Sequence, residues 1–388
     1  LKWAGALVLA PPLEVEITAL LLVMSFSDYI STLLNHSATA TAVGVASRIG
    51  LLKHLSSEPQ SAIDLAAKAD VHRRYVEETL AVLVCGKIVE LHNQDSSMDG
   101  VSTAELQYFL PDDRKAALDG MALYFEEMPI LSQCAFGEIA EAARAKRGID
   151  SGLYKAFGAW MGKLADEKHE SSLIQKFIPS VVDKSAGDAS HIADVLRSGS
   201  AQVLDIGCGE GTAPLLVAES YPAARVTGVD CFAPSVEAAG TKAASKGLRN
   251  AEFVVGDVCA LPADWAGRFD FITSFDVIHD LTKPQEALQE IRRVLKPGTG
   301  IFAMVDIRAG SNLVANLGHS MAPFLYTVSL LHCMPQGLGP DGCGLGLGMM
   351  WGREKARGML EAAGFDSVEI IEMEFDTFND LYVCKVKS

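Results

Sequence analysis

The sequence predicts an α/β fold: a Rossmann-like doubly wound sheet with a terminal antiparallel strand, preceded by an all-α/winged-helix N-terminal domain. Three observations carry this. Beyond residue 187, short apolar runs alternate with helix-length segments, the rhythm of a parallel sheet covered on both faces. A glycine-rich turn joins the first of those runs to the first helix. Residues 36–110 read as three helices followed by a hairpin, the order of a winged helix.

Residues 1–23 are apolar, but Pro11, Pro12, Glu14 and Glu16 keep every run below the roughly 18 residues that span a membrane. No A-x-A-like site marks a signal peptide, so this segment is read as an extension, and the domain pattern starts at Met24. Residues 24–115 form the winged-helix domain. Residues 40–52 are an apolar helix candidate; Ser61 and Asp64 make a capping-box-like start for a second helix; residues 71–85 form a third that Gly86 stops. IVEL (88–91) and VSTAELQYFL (101–110) flank a polar turn. Residues 116–186 are a helical linker or cap rich in aromatics, Trp160 among them.

Residues 187–388 make the α/β domain. Its strands are expected at 203–206, 225–230, 251–257, 269–276 and 300–307, with VEIIEME and LYVCKVK as an antiparallel pair at the end. Residues 308–352 interrupt the alternation with an apolar helix and a glycine-rich loop, read as a lid over the substrate.

The chain has 388 residues, enough for two or three domains, and a formal charge of −16, which argues against a nucleic-acid partner. His72, Arg73 and Arg74 open the third helix, but Glu77 and Glu78 follow, so the winged helix is expected to make a homodimer rather than read DNA. The eight cysteines form no C-x-x-C pair. Reduced thiols in a cytoplasmic protein are expected, with no membrane partner and no metal, although His332, Cys333 and Cys343 lie close in sequence.

The glycines pose the ligand question. Gly207, Gly209 and Gly211 alternate in VLDIGCGEG, whereas a dinucleotide fingerprint spaces its third glycine one residue further. Asp205 stands inside the strand just before, where a pyrophosphate would meet a carboxylate. A ligand without phosphate tolerates it. Asp230 ends the second strand, placed to take both ribose hydroxyls, and Asp257 ends the third, placed to accept from an adenine amino group.

At these residues the chain resembles the class I S-adenosylmethionine-dependent methyltransferases. Asp205-Ile206-Gly207-Cys208-Gly209-Glu210-Gly211 is similar to their glycine motif and Asp230 to their ribose acid. Gly256-Asp257 is similar to their adenine-contact motif, and Arg293-Val294-Leu295-Lys296-Pro297-Gly298 to the turn before their fifth strand. The resemblance implies S-adenosylmethionine as the methyl donor, held by Asp205, Gly207, Gly209, Gly211, Asp230, Asp257, Val258, Ser274 and Asp280. With the winged helix it extends to small-molecule O-methyltransferases, including those of plants, over nearly the whole chain.

That resemblance implies a small-molecule acceptor, with O-methylation ahead of N-methylation. His279-Asp280 is similar to the His-Asp pair whose histidine deprotonates the acceptor hydroxyl in the plant enzymes. Imidazole suits the task because its unperturbed pKa is near neutrality. Asp306, at the end of the fifth strand, is the candidate to orient it, where the plant family carries a glutamate. In the alternative, His279 only shapes its loop. Trp160, His319, Phe324, Tyr326, Met350 and Trp351 are candidates for the substrate pocket. The competing function is a winged-helix regulator that senses the cofactor without turning it over.

Overall fold

Side chains alternate across each strand of the C-terminal half, and the two sets meet two different helical layers. The computed structural model describes residues 25–92, 106–181 and 192–387. The segment 1–23, the start of the run expected at 101–110 and the residues at 187–191 lie outside the described residues. The chain divides into two compact units, Leu1–Ile130 and Leu131–Ser388.

In the first unit α1 (Phe26–Arg48) starts 14 residues before the apolar helix expected at 40–52, because Ser25 caps it and accepts from Asp28 N. It stops before Gly50, whose left-handed φ of 75° leads into a 3₁₀ turn at Leu51–Lys53. After β1 (Gln60–Ser61), α2 (Ala62–Ala69) opens on the full capping box of Ser61 and Asp64, worth about 1 kcal/mol. α3 (Arg73–Cys85) ends at Gly86. β2 (Glu90–Leu91) and β3 (Gln107–Phe109) complete an antiparallel sheet of order β1-β3-β2, followed by α4 (Asp112–Asp119). Val43, Leu51, Leu65, Val76, Leu80 and Leu83 form its core. α5 (Tyr124–Ala145) runs on across Ile130.

The second unit continues with α6 (Lys155–Ser172), which passes through a π turn at Leu173–Phe177, and with α7 (Ile192–Arg197). The alternating elements are β4 (Gln202–Ile206), α8 (Thr212–Ser220), β5 (Arg225–Asp230), α9 (Ala233–Ser245), β6 (Ala251–Val255), β7 (Phe271–Phe275), α10 (Pro284–Val294) and β8 (Ile301–Ile307). The insert carries α11 (Ala322–Val328), a π turn at Ser329–Cys333 and one further turn at Met334–Leu338. α12 (Gly352–Ala362), β9 (Ser367–Glu372) and β10 (Asn379–Lys385) close the chain.

The sheet order is β6-β5-β4-β7-β8-β10-β9. All neighbours are parallel except β10, antiparallel to both β8 and β9, as expected for the terminal pair. Val203, Phe271, Ala303 and Leu381 face the layer of α7, α8 and the turn after α6. Leu204, Ile272, Phe302, Met304 and Tyr382 face α10 and α12. By this parity Asp205 and Thr273 share the first face and Asp306 the second. The order reverses between β4 and β7, so the loops at their C-terminal ends flank the crevice where such folds bind ligands. No helix among the described residues is long and apolar enough to cross a membrane.

Candidate active site

The glycine turn occupies that crevice. Gly207, Gly209 and Gly211 have φ of 67°, 51° and 85°, a region that costs other residues strain. Their spatial needs differ. A Cβ on Gly211 would sit 2.8 Å from Ala239 Cβ and 2.8 Å from Phe253 Cε1, so this glycine lets α8 start against α9 and β6. A Cβ on Gly209 would meet nothing within 4 Å, so this position borders open space that a ligand can enter. The Gly207 and Cys208 amides donate to Val229 O, tying the turn to β5.

Asp230, at the end of β5, accepts from Gly209 N at 2.9 Å and from Phe232 N at 2.8 Å, one bond to each oxygen. Its carboxylate is thereby aimed, and each oxygen keeps a lone pair for a further donor. Asp205 is buried and accepts the Thr273 hydroxyl at 2.6 Å. Burial raises its pKa to about 7, against the Thr273 hydrogen bond and with help from the Asp230 charge. Asp205 therefore holds its proton well above the usual carboxylate range. Asp257 is exposed after β6 and caps the turn beginning at Val258 by accepting from Cys259 N at 2.8 Å. Ser274 is fully buried in β7, and its hydroxyl has no partner among the described residues.

Four residues past the end of β7, His279 is buried in a 3₁₀ turn, Ile278–Asp280. Its Nδ1 lies 2.7 Å from Asp306 Oδ1, and its Nε2 lies 3.4 Å from Asp280 Oδ1. Asp306 Oδ1 also accepts the Trp351 indole N–H at 2.9 Å and its own neighbour Ile307 N–H at 2.8 Å. Burial pulls the His279 pKa down, but the Asp306 and Asp280 charges outweigh it and hold the imidazole well above its ordinary value. The arrangement can fix one ring orientation and stabilise the imidazolium formed when the ring takes a proton.

Nε2 of His279, an oxygen of Asp280 and Sγ of Cys333 lie within 4.8 Å of one another, three donors of the kind a metal uses. His332 Nδ1 stands 3.9 Å from Asp280 and 3.5 Å from the Cys333 sulfur, whereas Cys343 is exposed. Burial pushes the Cys333 thiol up to about 12, and the imidazole is held protonated. Both would have to release protons to bind an ion, which favours the proton-filled form.

The residues expected around the substrate fall into three places. Trp160 is buried and stacks on Phe157 at 5.4 Å. Phe324, Tyr326 and Met350 pack in one small cluster with Ile307 and Leu325, and Asn316 Nδ2 donates to the Tyr326 hydroxyl at 3.1 Å. His319 braces the start of the same segment, accepting from Met321 N at 3.2 Å. Trp351 lies in the core beside α10 and α12, reaching Asp306. A separate cavity of about 100 Å³ opens between α6 and the C-terminal ends of β7 and β8. Lys168, His169, Ser172, Asp276, Asp376 and Asn379 are its polar lining.

Residues 197–364 match the protein family described as a methyltransferase domain. Ubiquinone biosynthesis O-methyltransferase of Paracidovorax citrulli is 30% identical over 118 residues, 30% of this chain and 49% of that protein. The chain spans about half the length of such curated relatives. Human N-acetylserotonin methyltransferase, solved in complex with S-adenosylmethionine, matches 94% of this chain and 99% of its own at a TM-score of 0.63 and 14% identity. Mitomycin 7-O-methyltransferase matches 93% and 98% at a TM-score of 0.60 and 17% identity. At these identities the likeness shows the fold: that of the solved methyltransferases over nearly the whole chain.

Sequence reading passed over several residues that the second unit brings to its crevice. Thr212, the first residue of α8, donates to Asp166 of α6, pinning α6 above the glycine turn. Asp276 follows β7 directly, and its position at a C-terminal strand end was the signal available. His332 and Cys333, grouped in sequence with Cys343, are carried instead by the π turn to Asp280 and His279, while Cys343 is exposed.

Proposed function

We propose that the chain transfers the methyl group of S-adenosylmethionine to a small-molecule acceptor, with oxygen favoured over nitrogen as the atom methylated. The carrying observation is the buried His279–Asp306 pair at the edge of a methyltransferase domain whose glycine turn leaves open space at Gly209. The turn and acids fit such a ligand. Asp230 offers aimed acceptors for ribose hydroxyls, Asp257 offers an acceptor for the adenine amino group beside Val258, and Asp205, its pKa raised by burial, offers an acceptor to the ligand's ammonium group. When bound, the sulfonium supplies an activated methyl group for in-line displacement.

Asp306 orients His279, and Trp351 and Ile307 N–H orient Asp306. In its neutral form the imidazole, with Nδ1–H held by Asp306, presents a bare Nε2 lone pair that can take a hydroxyl proton as the oxygen attacks. Asp280 Oδ1, 3.4 Å from Nε2, then stabilises the imidazolium. Burial excludes water from this nitrogen. An acceptor with an acidic or hydroxylic proton needs such a base; a neutral amine does not, which favours oxygen.

The reading includes a homodimer through a winged-helix first unit. Phe26, Ile30, Leu33 and Leu34 are 73%, 49%, 46% and 73% exposed at helical spacing along α1, an apolar stripe suited to a second copy. It also includes a cytoplasmic location, since all eight cysteines are unpaired. Calorimetry tests the cofactor. S-adenosylmethionine should bind more tightly than NAD, and Asp230→Ala should weaken it more than tenfold, taking such bonds at about 1.5–3 kcal/mol. Tighter binding of NAD would overturn the proposal.

A further inference from the structure

The cavity between α6 and the sheet is walled mostly by apolar side chains, with Lys168, His169 and Ser172 on its α6 side and Asp276, Asp376 and Asn379 on its sheet side. Asp276 Oδ2 accepts from Asn379 Nδ2 at 3.3 Å, but Asp276 Oδ1 is buried with no partner among the described residues. Asn379 is 1% exposed, and its Oδ1 also lacks a partner there. Two residues of one cavity's lining thus each carry a buried acceptor oxygen that no donor among the described residues answers. Leaving buried acceptors unpaired is costly, so their presence together calls for a donor from outside the chain.

The backbone agrees. Asp276 is held at φ 54°, a left-handed conformation uncommon outside glycine, and it directly follows β7 where ligands of this fold sit. The charges around it are Lys168, Asp376, His169, Asp306 and His279. Lys168 pairs with Asp376 at 3.3 Å. Burial lowers the His169 pKa to about 4, so this ring is neutral. The Asp306 charge is engaged by His279 on the opposite face of the sheet. One lysine thus serves two carboxylates, Asp276 and Asp376, and the cavity carries one negative charge in excess. Burial raises the Asp276 pKa to about 6, with Lys168 opposing, so it is ionised at neutral pH. Met161, Leu164, Phe275 and Phe375 supply apolar walls.

We propose that this cavity binds a small molecule with an apolar, ring-sized body and a protonated amine, the ammonium donating to Asp276 Oδ1 and Asn379 Oδ1. Resting on the methyl-transfer reading, that molecule is the acceptor: the amine is its handle on this face at the C-terminal ends of β7 and β8, and its far end passes over those strand ends toward His279 on the other face. An ammonium held against a carboxylate has no lone pair with which to attack, so the methylated atom lies elsewhere on the molecule.

The test is calorimetry on the full chain without cofactor, using phenethylamine, 2-phenylethanol and phenylacetate as probes. Phenethylamine should bind saturably at pH 7.5, and phenylacetate should not bind. Asp276→Asn, which keeps the backbone preference and the shape, should weaken the amine at least tenfold. Asn379→Ala should weaken it less, guarding against a folding defect peculiar to position 276. At pH 5 the wild type should bind the amine about tenfold more weakly, as expected for a carboxylate titrating near 6. Phenylacetate binding as well as the amine, no saturable amine binding, or undiminished binding to Asp276→Asn would overturn the inference. S-adenosylmethionine affinity is measured in parallel. Its loss in the wild type would overturn the methyl-transfer reading, whereas its persistence with no amine binding overturns only this one.

Discussion

His279 Nδ1 lies 2.7 Å from Asp306 Oδ1 although the two residues come from different strand ends, β7 and β8. The same oxygen accepts from Trp351 and from Ile307 N–H, so the carboxylate cannot turn away without losing three bonds. The ring is held, and its proton is held with it.

The first consequence is kinetic. His279→Ala should lower turnover roughly 10²–10⁴-fold, the usual worth of a positioned base, while leaving cofactor affinity nearly unchanged. As a base the ring acts only after losing its proton. Because the neighbouring carboxylates raise its pKa, the wild-type rate should climb with pH through a midpoint above the ordinary histidine value, and the variant should lack that limb. A pH–rate profile for both proteins checks this. A variant that turns over normally would leave His279 with only a loop-shaping role.

Trp351→Phe keeps an aromatic ring in the core and removes only the indole N–H donated to Asp306. Asp306, relieved of one donor, should hold the imidazolium more firmly. The alkaline limb should then move to higher pH and kcat should fall severalfold at neutral pH, with the thermal midpoint little changed. A change in KM for the acceptor without any shift of the limb would return Trp351 to the pocket wall suggested by the sequence.

How much of this was readable beforehand follows from the range of each interaction. The glycine turn, Asp230 and the alternating strands are local signals, and β5 runs over the residues expected, Arg225–Asp230. The terminal antiparallel pair was likewise visible as two alternating runs. The early start of α1 at Phe26 was passed over although Phe26, Ile30, Leu33 and Leu34 recur at helical spacing behind the Ser25 cap. Trp351 reads as a pocket aromatic in sequence. Only the fold shows that it reaches Asp306, 45 residues away. Asp276 and Asn379, 103 residues apart, meet only because β10 lies beside β8.

The glycines separate folding from binding. Gly211→Ala combines φ 85° with contacts of 2.8 Å to Ala239 and Phe253, and should destabilise the fold by about 2 kcal/mol or more. Gly209→Ala, at φ 51° with open space ahead, should cost about 1 kcal/mol but weaken S-adenosylmethionine markedly. Thermal melts beside calorimetry distinguish them. Equal stability losses with equal affinity losses would contradict the division of roles.

Asp205 makes a stability prediction with a definite sign. Its folded pKa of about 7 lies above the ordinary 3.8, so between those values the native chain keeps a proton that the unfolded chain gives up. Its contribution to stability therefore falls as pH rises through that window and is level above it. Asp205→Asn preserves an acceptor for Thr273 and removes this dependence. Denaturant titrations at pH 5 and pH 8 should show the variant gaining on the wild type by about 1 kcal/mol or more at the higher pH. A constant difference would mean that Asp205 is ionised throughout.

Methyl transfer itself is tested most directly by supplying the full-length protein with methyl-labelled S-adenosylmethionine and a deproteinised cell extract, then following the label by mass spectrometry. The label should enter a low-mass product in amounts matching the S-adenosylhomocysteine released, and His279→Ala should suppress it. Cofactor binding without any labelled product across extracts, accompanied by salt-sensitive binding to DNA, would contradict catalysis and leave a cofactor-sensing regulator in its place.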